Sequence, residues 1–309
     1  MNYALFAEQF LNGIQFGMIL FLLAAGLTLI FGIMDLVNLA HGSLYMLGAY
    51  ILATLADVTG SFLLAIVVAV PAMIVIGIVV EIVAFRALYG RDHLDHVLAT
   101  FGLILVFDQL VHIVWGPVGR TIQLPATMNG AVSLPWGIDY PIYRLVIIAL
   151  GLIIALGMYV MLQRTRIGML IRAGASNREM AGALGVNIPA LFTIVFGIGA
   201  ALAGFAGMII APITSAEIGM GNTVLIQAFV VIVIGGIGSI RGAFVAALLI
   251  GLIDTMGRSF LDDILTVFLP INAAEAAGPA LSSMLIYILM AAILFFRPQG
   301  LFPPKGAKA

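Results

Sequence analysis

The sequence predicts an all-α integral membrane protein, a polytopic bundle of eight or nine transmembrane helices with interrupted helices among them. Of its 309 residues, 63% are hydrophobic and 9% are charged, whereas about 25% are charged in a typical soluble domain. The mean hydropathy is +1.22. This composition excludes an ordinary soluble enzyme, a disordered protein and a nucleic-acid-binding protein with a basic surface. Cysteine is absent, which excludes disulfides and thiolate metal sites.

The predicted spans are charge-poor stretches that are long enough to cross the membrane, which takes ~20 apolar residues in a helix. No charge lies between Glu8 and Asp35 or between Asp57 and Glu81. The second and eighth candidates are the weakest, so eight or nine spans are expected within a single domain over residues 1–309. The nine candidates lie near residues 10–33, 37–56, 62–85, 97–115, 143–162, 189–211, 223–240, 242–257 and 281–297.

Basic residues predict the orientation, because cytoplasmic loops carry an excess of Lys and Arg. The first basic residue is Arg86, so the first apolar stretch lacks the basic flank of a signal peptide and is predicted to be a true span. With the N-terminus outside and nine spans, the C-terminus is cytoplasmic and only Arg120, Arg144 and Arg258 remain outside. The inner basic residues are then Arg86, Arg91, Arg164, Arg166, Arg172, Arg178, Arg241, Arg297, Lys305 and Lys308.

The same orientation places the loop over residues 116–141 outside the membrane. Trp115 and Trp136 lie at its two ends. Tryptophan is enriched at membrane–water interfaces, so both side chains are predicted to belong to an aromatic belt.

Glycine is frequent, at 35 residues, and several glycines recur with another small residue four positions away. This spacing lets the backbones of neighbouring membrane helices approach closely. We therefore expect helix–helix contacts at these positions. The pairs are Gly13 with Gly17, Ala200 with Gly204, Ala203 with Gly207, and Ala247 with Gly251.

The first unusual stretch covers residues 32–50, where two spans meet with almost no loop. Asn38, His41 and Tyr45 follow one another at helical spacing and are predicted to share one helix face. Polar groups at membrane depth must face protein or water. Two interpretations remain: hydrogen bonding between helices, or lining of a wet path.

The second unusual stretch covers residues 235–243, in the sequence GGIGSIRGA. Its glycines break a helix and leave short apolar pieces on either side. Broken helices often mark a transport pathway. A phosphate-binding glycine loop is the weaker interpretation, because neither a Lys-Ser/Thr ending nor a preceding strand is present.

The third unusual stretch is the inner loop over residues 164–188, which is long and basic. Ser176 and Glu179 fit a capping box, so Ser176 is predicted to cap a short helix from Asn177 to Leu184. Gly185 is predicted to end that helix. A helix this short has little stability alone, so we expect the rest of the loop or a partner protein to hold it.

A few ionisable residues lie within or beside the predicted spans. Asp108 and His112 are four residues apart and could pair, or relay protons in a secondary carrier driven by a proton gradient. Asp254 and Arg258 have the same spacing and are predicted to pair. Glu81 is expected to reach the inner membrane surface. No catalytic triad or metal-binding cluster is visible in the sequence, so no enzymatic site and no cofactor are predicted.

Taken together, the three unusual stretches resemble the LivH-type permease subunit of bacterial branched-chain amino acid ABC importers. The similar motifs are GIMDLVNLAHGSLYMLGAY (32–50), RTRIGMLIRAGASNREMAGALGVN (164–187) and GGIGSIRGA (235–243). The resemblance extends from about Gly13 to Phe302. One departure is Arg241, where similar proteins often have proline.

The resemblance implies an inner-membrane subunit that pairs with a LivM-like second permease subunit or a second copy of itself. Two cytoplasmic ABC ATPases would bind below and hydrolyse ATP, and a periplasmic substrate-binding protein would deliver the solute above. The permease itself would catalyse no bond chemistry. The substrate stays open among leucine, isoleucine and valine, other amino acids, amides, urea and aromatic acids.

The resemblance also implies roles for individual residues. The 164–188 loop would dock on the ATPases, with Ala181 and Gly182 in a shallow groove. The predicted coupling residues are Arg172, Ser176, Asn177, Arg178, Glu179, Ala181, Gly182 and Gly185. The residues predicted to border the translocation pathway are Asn38, His41, Tyr45, Gly235, Gly236, Gly238 and Ser239.

Overall fold

A computed structural model describes residues 3–135 and 137–302, which form helices and one short β-hairpin. Trp136, Lys305 and Lys308, which the sequence analysis places at the outer interface and on the inner side, lie outside the described residues. The elements are α1 (Tyr3–Met34), α2 (His41–Thr59), α3 (Phe62–Val80), a π-helical turn (Glu81–Phe85), a 3-10 turn (Arg86–Leu88), α4 (His93–Trp115), β1 (Ala131–Leu134), β2 (Ile138–Pro141), α5 (Ile142–Arg164), α6 (Arg166–Ser176), α7 (Arg178–Ala183), α8 (Ile188–Thr214), α9 (Met220–Gly235), α10 (Ile240–Leu265) and α11 (Ile271–Phe296).

Within the described ranges, eight helices are long and apolar enough to cross a membrane, and α9 is a shorter apolar helix of 16 residues. The prediction of eight or nine spans is therefore confirmed. The second and eighth candidates, α2 and α10, both qualify and are the two least apolar of the eight, as predicted. The seventh candidate, α9, is the short one. The eighth candidate extends to Leu265. Within it, Arg258 donates to both carboxylate oxygens of Asp254, at 2.9 and 3.1 Å, which confirms that predicted pair.

The helices divide into an inner and an outer set. Within their most apolar windows, α1 and α8 are 83% and 72% buried, whereas α4 and α11 are 17% and 11% buried. The bundle has two ends: the hairpin end, which carries β1 and β2, and the α7 end, which carries α6 and α7. The peripheral helices present mostly large apolar side chains to the outside, as lipid contact requires.

The small residues lie where the sequence predicts close helix contacts. A Cβ atom added at Gly17 would lie 2.9 Å from the carbonyl oxygen of Ala247, so α1 and α10 touch backbone to backbone. In the same way, a Cβ at Gly207 would lie 1.9 Å from the carbonyl oxygen of Tyr45 on α2. In lipid such contacts are stabilised by dispersion rather than by apolar burial.

Two helices begin inside the bundle rather than at its surface. The link from Asp35 to Ala40 is not helical, and it runs back beside α1. At its end, His41 Nε2 lies 3.2 Å from the carbonyl oxygen of Leu23. α9 begins beside this point, because a Cβ at Gly42 would lie 2.6 Å from the carbonyl oxygen of Gly221. The predicted interrupted helices are thus present: α2 and α9 both begin at this contact.

The loop over residues 116–141 contains a β-hairpin that the sequence analysis did not predict. β1 and β2 pair antiparallel, with Val132 opposite Tyr140. The Tyr140 ring is buried, and its hydroxyl donates to Asn12 Oδ1 at 3.1 Å, which attaches the hairpin to α1. Burial, and to a lesser extent the charge of Glu8, raises the pKa of Tyr140, against the opposing effect of Arg144.

A buried carboxylate fixes α3 to α8 at the α7 end. Glu81 is completely buried, so the expectation that it reaches the membrane surface is wrong. It accepts hydrogen bonds from Arg86 at 3.2 Å, from Thr193 at 2.7 Å and from the hydroxyl of Tyr89. Burial first, and then the bond to Glu81, raises the pKa of Tyr89, which keeps this hydroxyl protonated as a donor. The π-helical turn that begins at Glu81 places these groups around it.

Candidate functional site

A cleft of about 460 Å³ opens at the α7 end of the bundle. Its walls come from the end of α1 and the following link (31–35), from the junction of α6 and α7 (174–179), and from the break between α9 and α10 (237–238). These walls belong to the three stretches that the sequence analysis singled out. The fold therefore brings together segments that are about 140 and 60 residues apart in the chain.

The junction between α6 and α7 is capped differently from the prediction. Ser176 is the last residue of α6, and Asn177 leaves the helical conformation, with φ −158° and ψ 100°. The Asn177 side chain accepts a hydrogen bond from the backbone N–H of Met180 at 2.9 Å. The capping box is therefore wrong, because a cap must be the non-helical residue before the helix, and Glu179 is then one position too early to reach back.

The end of α7 agrees with the prediction. Gly185 has φ +91°, and the N–H of Val186 donates to the carbonyl of Ala181 at 3.1 Å. The N–H of Gly185 donates to Gly182 at 2.9 Å, which completes a Schellman motif. The hydrogen bonds at its two ends therefore stabilise this helix, which is too short to be stable alone.

We predict that Asn177→Ala loosens α7 by about 1 kcal/mol, because it removes the acceptor for the Met180 N–H. Hydrogen exchange of the amides of α7 should become several-fold faster. Ser176→Ala is the matched control, and it should leave this exchange unchanged. Equal effects of the two substitutions would contradict the assignment of Asn177 as the cap.

The most exposed side chains of α7 and its C-cap are not the small ones that were predicted to contact the ATPases. Ala181 is only 6% exposed, so it is not open to a groove on a partner in this conformation. Gly182 is half-buried, and a Cβ added there would lie 3.6 Å from Ile188 at the start of α8, so its role at a partner stays a prediction. Instead, Met180 and Leu184 are 58% and 79% exposed. The sequence could have indicated this apolar pair, because residues four apart lie on the same helix face.

The charged residues of this segment stay open to solvent. Arg172, Arg178 and Glu179 are exposed, and none of them forms an ion pair within the part of the chain that the structure describes. Arg178 and Glu179 line the cleft together with Asp35. The segment thus presents apolar and charged side chains side by side.

The glycine-rich break has mainly structural roles. The end of α9 is closed by the C-terminal segment, since the N–H of Leu301 donates to Ile234 at 2.8 Å and that of Phe302 to Gly235 at 3.0 Å. Ser239 caps α10 by accepting from the N–H of Gly242 at 3.1 Å. Gly235 and Gly236 are buried at these contacts. Among the four predicted pathway residues of this stretch, only Gly238, with φ +82°, lines the cleft.

Comparison with known proteins identifies the family. The model of a family described as the permease component of branched-chain amino acid transport systems matches residues 9–294. The chain belongs to this family. No solved structure matches it.

The permease is similar along most of its length to several known transport proteins. It is 29% identical over 308 residues to the high-affinity branched-chain amino acid transport system permease protein BraD of Pseudomonas aeruginosa, covering 96% of this chain and 95% of that protein. It is 28% identical over 270 residues to LivH of Escherichia coli K12, covering 83% and 87%. It is 23% identical over 306 residues to a probable LivH of Methanocaldococcus jannaschii, covering 94% and 90%.

In the permease, the first predicted polar face does not reach the cleft. Asn38 lies in the link before α2 and not on it, so the prediction of one shared helix face is wrong for this residue. Asn38 and His41 are completely buried and Tyr45 is 2% exposed. The amide of Asn38, His41 Nδ1 and Ser43 Oγ have no hydrogen-bond partner among the described residues. These side chains are buried within the protomer. His41 lies between α1 and α8, since a Cβ added at Gly26 would meet both His41 Nε2 and the carbonyl oxygen of Gly199.

Asp108 and His112 show no relay geometry in the permease. No hydrogen bond or ion pair joins them within the described ranges, so the predicted pairing is wrong. Asp108 is half-buried and His112 is exposed on the peripheral helix α4. The family match also favours the permease over the proton-coupled carrier.

Proposed function

We propose that this permease carries branched-chain amino acids, as the names of its relatives state for theirs, within an ABC importer of the inner membrane. Two ATPases would bind at the α7 end and hydrolyse ATP. A periplasmic binding protein would dock at the hairpin end, and a LivM-like subunit or a second copy would complete the pathway. The observation that supports this proposal is the cleft, because its walls join α6 and α7 to the places where the helices are interrupted.

The coupling role rests on how the exposed segment is built. α7 is short but capped at both ends, so a force applied to it moves it as a unit. Met180 and Leu184 offer an exposed apolar contact, and Arg178 and Glu179 offer charges that have no partner in the described chain. Apolar side chains beside unpaired charges outside the membrane are typical of a protein-binding surface.

The cleft supplies the connection from the coupling segment to the membrane. Asn177 and Glu179 share its wall with Asp35, which begins the link to α2, and with Gly238, which precedes α10. A movement of α7 would therefore act directly on the two places where helices are interrupted. The predicted coupling residues that keep their proposed role in this region are Arg172, Ser176, Asn177, Arg178, Glu179, Gly182 and Gly185.

The orientation follows from the distribution of arginine. Eight arginines of the described chain lie in segments at the α7 end, and Arg120, Arg144 and Arg258 lie toward the hairpin end. The positive-inside rule then favours a cytoplasmic α7 end and a periplasmic N-terminus. The ATPases and the binding protein would meet opposite ends of the bundle.

The test is Leu184→Asp in the tagged permease, purified gently from its native membranes. We expect the ATPases to be lost from the preparation and ATP-driven uptake of radiolabelled leucine to fall at least about tenfold, because a buried, unpaired carboxylate in the interface costs several kcal/mol. Leu94→Asp is the matched control. Leu94 is 78% exposed at the start of α4, at the same end of the bundle, and its substitution should leave both readouts unchanged.

Three outcomes would contradict the proposal. Full retention of the ATPases by Leu184→Asp would remove α7 from the docking surface. Uptake by the wild type that needs no ATP and stops when the proton gradient collapses would favour the carrier. Copurification of no ATPase with the wild type would end the assignment to an ABC importer.

A further inference from the structure

The start of α9 lies within the thickness of the membrane. α9 has 16 residues and ends beside the cleft, so it rises only ~24 Å from the α7 end, whereas the hydrocarbon core is ~30 Å thick. It begins against Gly42, next to His41, which contacts the backbone of α1 at Leu23. Leu23 is ~16 Å from the end of α1 at the rise of a helix. The first turn of α9 is therefore at membrane depth.

One stripe of α9 is open along the whole helix. Asn222 and Ile226 are exposed, and Phe229 and Val233 are half-buried below them, at the spacing of one helix face. The stripe continues into Ile237, which is 49% exposed and lines the cleft. The opposite face of α9 is buried against α1, α2 and α10, so the helix borders the outside of the protomer mainly along this stripe.

The upper part of the stripe and the helix face beside it carry polar side chains without hydrogen-bond partners in the described chain. The side chains of Asn222 and Thr223 are exposed and make no hydrogen bond within the described chain. Gln227 lies one turn below Thr223, is only 7% exposed, and its amide also has no hydrogen bond there. Lipid offers no hydrogen bonds, so leaving such groups in lipid is unfavourable by several kcal/mol.

The peripheral helices do not show this pattern. The exposed residues in the middle of α5 include Leu152, Ile153 and Leu156, which suit lipid. The first turn of α9 lacks a side-chain cap, and the N–H groups of Met220 and Asn222 donate to the carbonyl oxygens of Glu217 and Gly219. The side chains of Asn222 and Thr223 are therefore the open donors at this end of α9, where the helix dipole favours a negative group.

We propose that this stripe of α9 is the permease's contribution to the solute path and that it binds a zwitterionic amino acid with an apolar side chain. The carboxylate lies at the side chains of Asn222 and Thr223, and the apolar side chain lies on Ile226, Phe229 and Val233. This inference rests on the proposed function. It replaces the buried Asn38, His41 and Tyr45 as the solute-contacting residues. The stripe holds no Lys or Arg, which keeps binding weak enough for release.

The chain contains no cysteine, so single cysteines can be introduced directly. Ile226→Cys and Val233→Cys are placed in the assembled transporter in membrane vesicles and treated with a membrane-impermeant thiosulfonate. The thiolate is the nucleophile that attacks the sulfur of the thiosulfonate and releases sulfinate, and it forms only in water. We therefore expect labelling at least about tenfold faster than that of Ile153→Cys. Ile153 is 64% exposed on α5 and serves as the lipid-facing control. Leucine with ATP and the binding protein should slow labelling at Ile226 and Val233.

Labelling as slow as that of Ile153→Cys would overturn the inference and assign the stripe to lipid or to the second subunit. Labelling that leucine does not change would also overturn it, because a solute path must be occupied by solute. These readouts do not depend on uptake. ATP-driven uptake by the wild type tests the proposed function separately, so the two failures are distinguishable.

A second experiment measures transport by a double variant that combines Asn222→Leu with Thr223→Val, which conserve the shapes of the side chains. We expect kcat/KM for leucine uptake to fall about tenfold for the double variant, because two hydrogen bonds to the carboxylate are lost. Ser283→Ala on the exposed face of α11 is the control and should transport like the wild type. Wild-type kinetics in the double variant, at equal assembly, would overturn the assignment of the polar contacts.

Discussion

Gly207→Ala is expected to destabilise the folded permease strongly, because it adds a methyl group at a backbone contact between α2 and α8. The added Cβ would lie 1.9 Å from the carbonyl oxygen of Tyr45, and that atom belongs to the backbone. No side-chain rotation can relieve the clash, so α2 must move away from α8. Interiors are close-packed, and forced separation costs about 1–3 kcal/mol or more. Thermal unfolding in detergent should show a Tm lower by several degrees.

The matched control is Gly157→Ala on α5, where nothing lies within 4 Å of the added Cβ. The same chemical change there should be neutral or stabilising by about 0.5–1 kcal/mol, because alanine loses less backbone entropy in a helix. Equal melting temperatures for the two variants would show that the helices are not in backbone contact at Gly207.

Glu81→Ala is also expected to lower the stability of the fold strongly, because three side chains lose the carboxylate to which they donate hydrogen bonds. Arg86, Tyr89 and Thr193 all donate to the buried carboxylate. Loss of a buried acceptor costs about 1–3 kcal/mol per unsatisfied group. Arg86 is 44% exposed and can be solvated again, so we expect a total of roughly 2–4 kcal/mol. The base of α8, next to the coupling segment, should become labile.

This effect is measured by unfolding and by hydrogen exchange at the start of α8. Glu275→Ala is the control, since Glu275 is exposed on α11 and forms no ion pair in the described chain. It should change stability by less than about 0.5 kcal/mol. If exchange near Thr193 stays at the wild-type rate in Glu81→Ala, the carboxylate does not hold α3 to α8.

The features that the sequence predicted correctly depend on local signals. Apolar length fixes the number of spans, and the small-residue spacing around Gly17 and Gly207 fixes where backbones meet. Gly185 was identified as the helix end because only a residue that tolerates positive φ fits there. The pair of Asp254 and Arg258 followed from helical periodicity alone.

The errors occur where the outcome depends on which residues pack together. Ser176 and Asn177 are both good caps, and the length of α6 decided between them. Ala181 was assigned to a partner but is buried, and Glu81 was assigned to the surface but lies within the bundle. Sequence spacing gives neighbours along a helix, whereas burial depends on the helix that packs opposite.

The sequence by itself determined that this chain is a membrane bundle, where its spans lie and which three stretches are unusual. Only the tertiary structure decided that the three stretches meet in one cleft and that α9 keeps one stripe open from Asn222 to Ile237. The physical reason is that a helix in lipid is apolar on all sides, so hydropathy does not distinguish the faces that meet lipid, protein or solute. That distinction arises only when the helices pack.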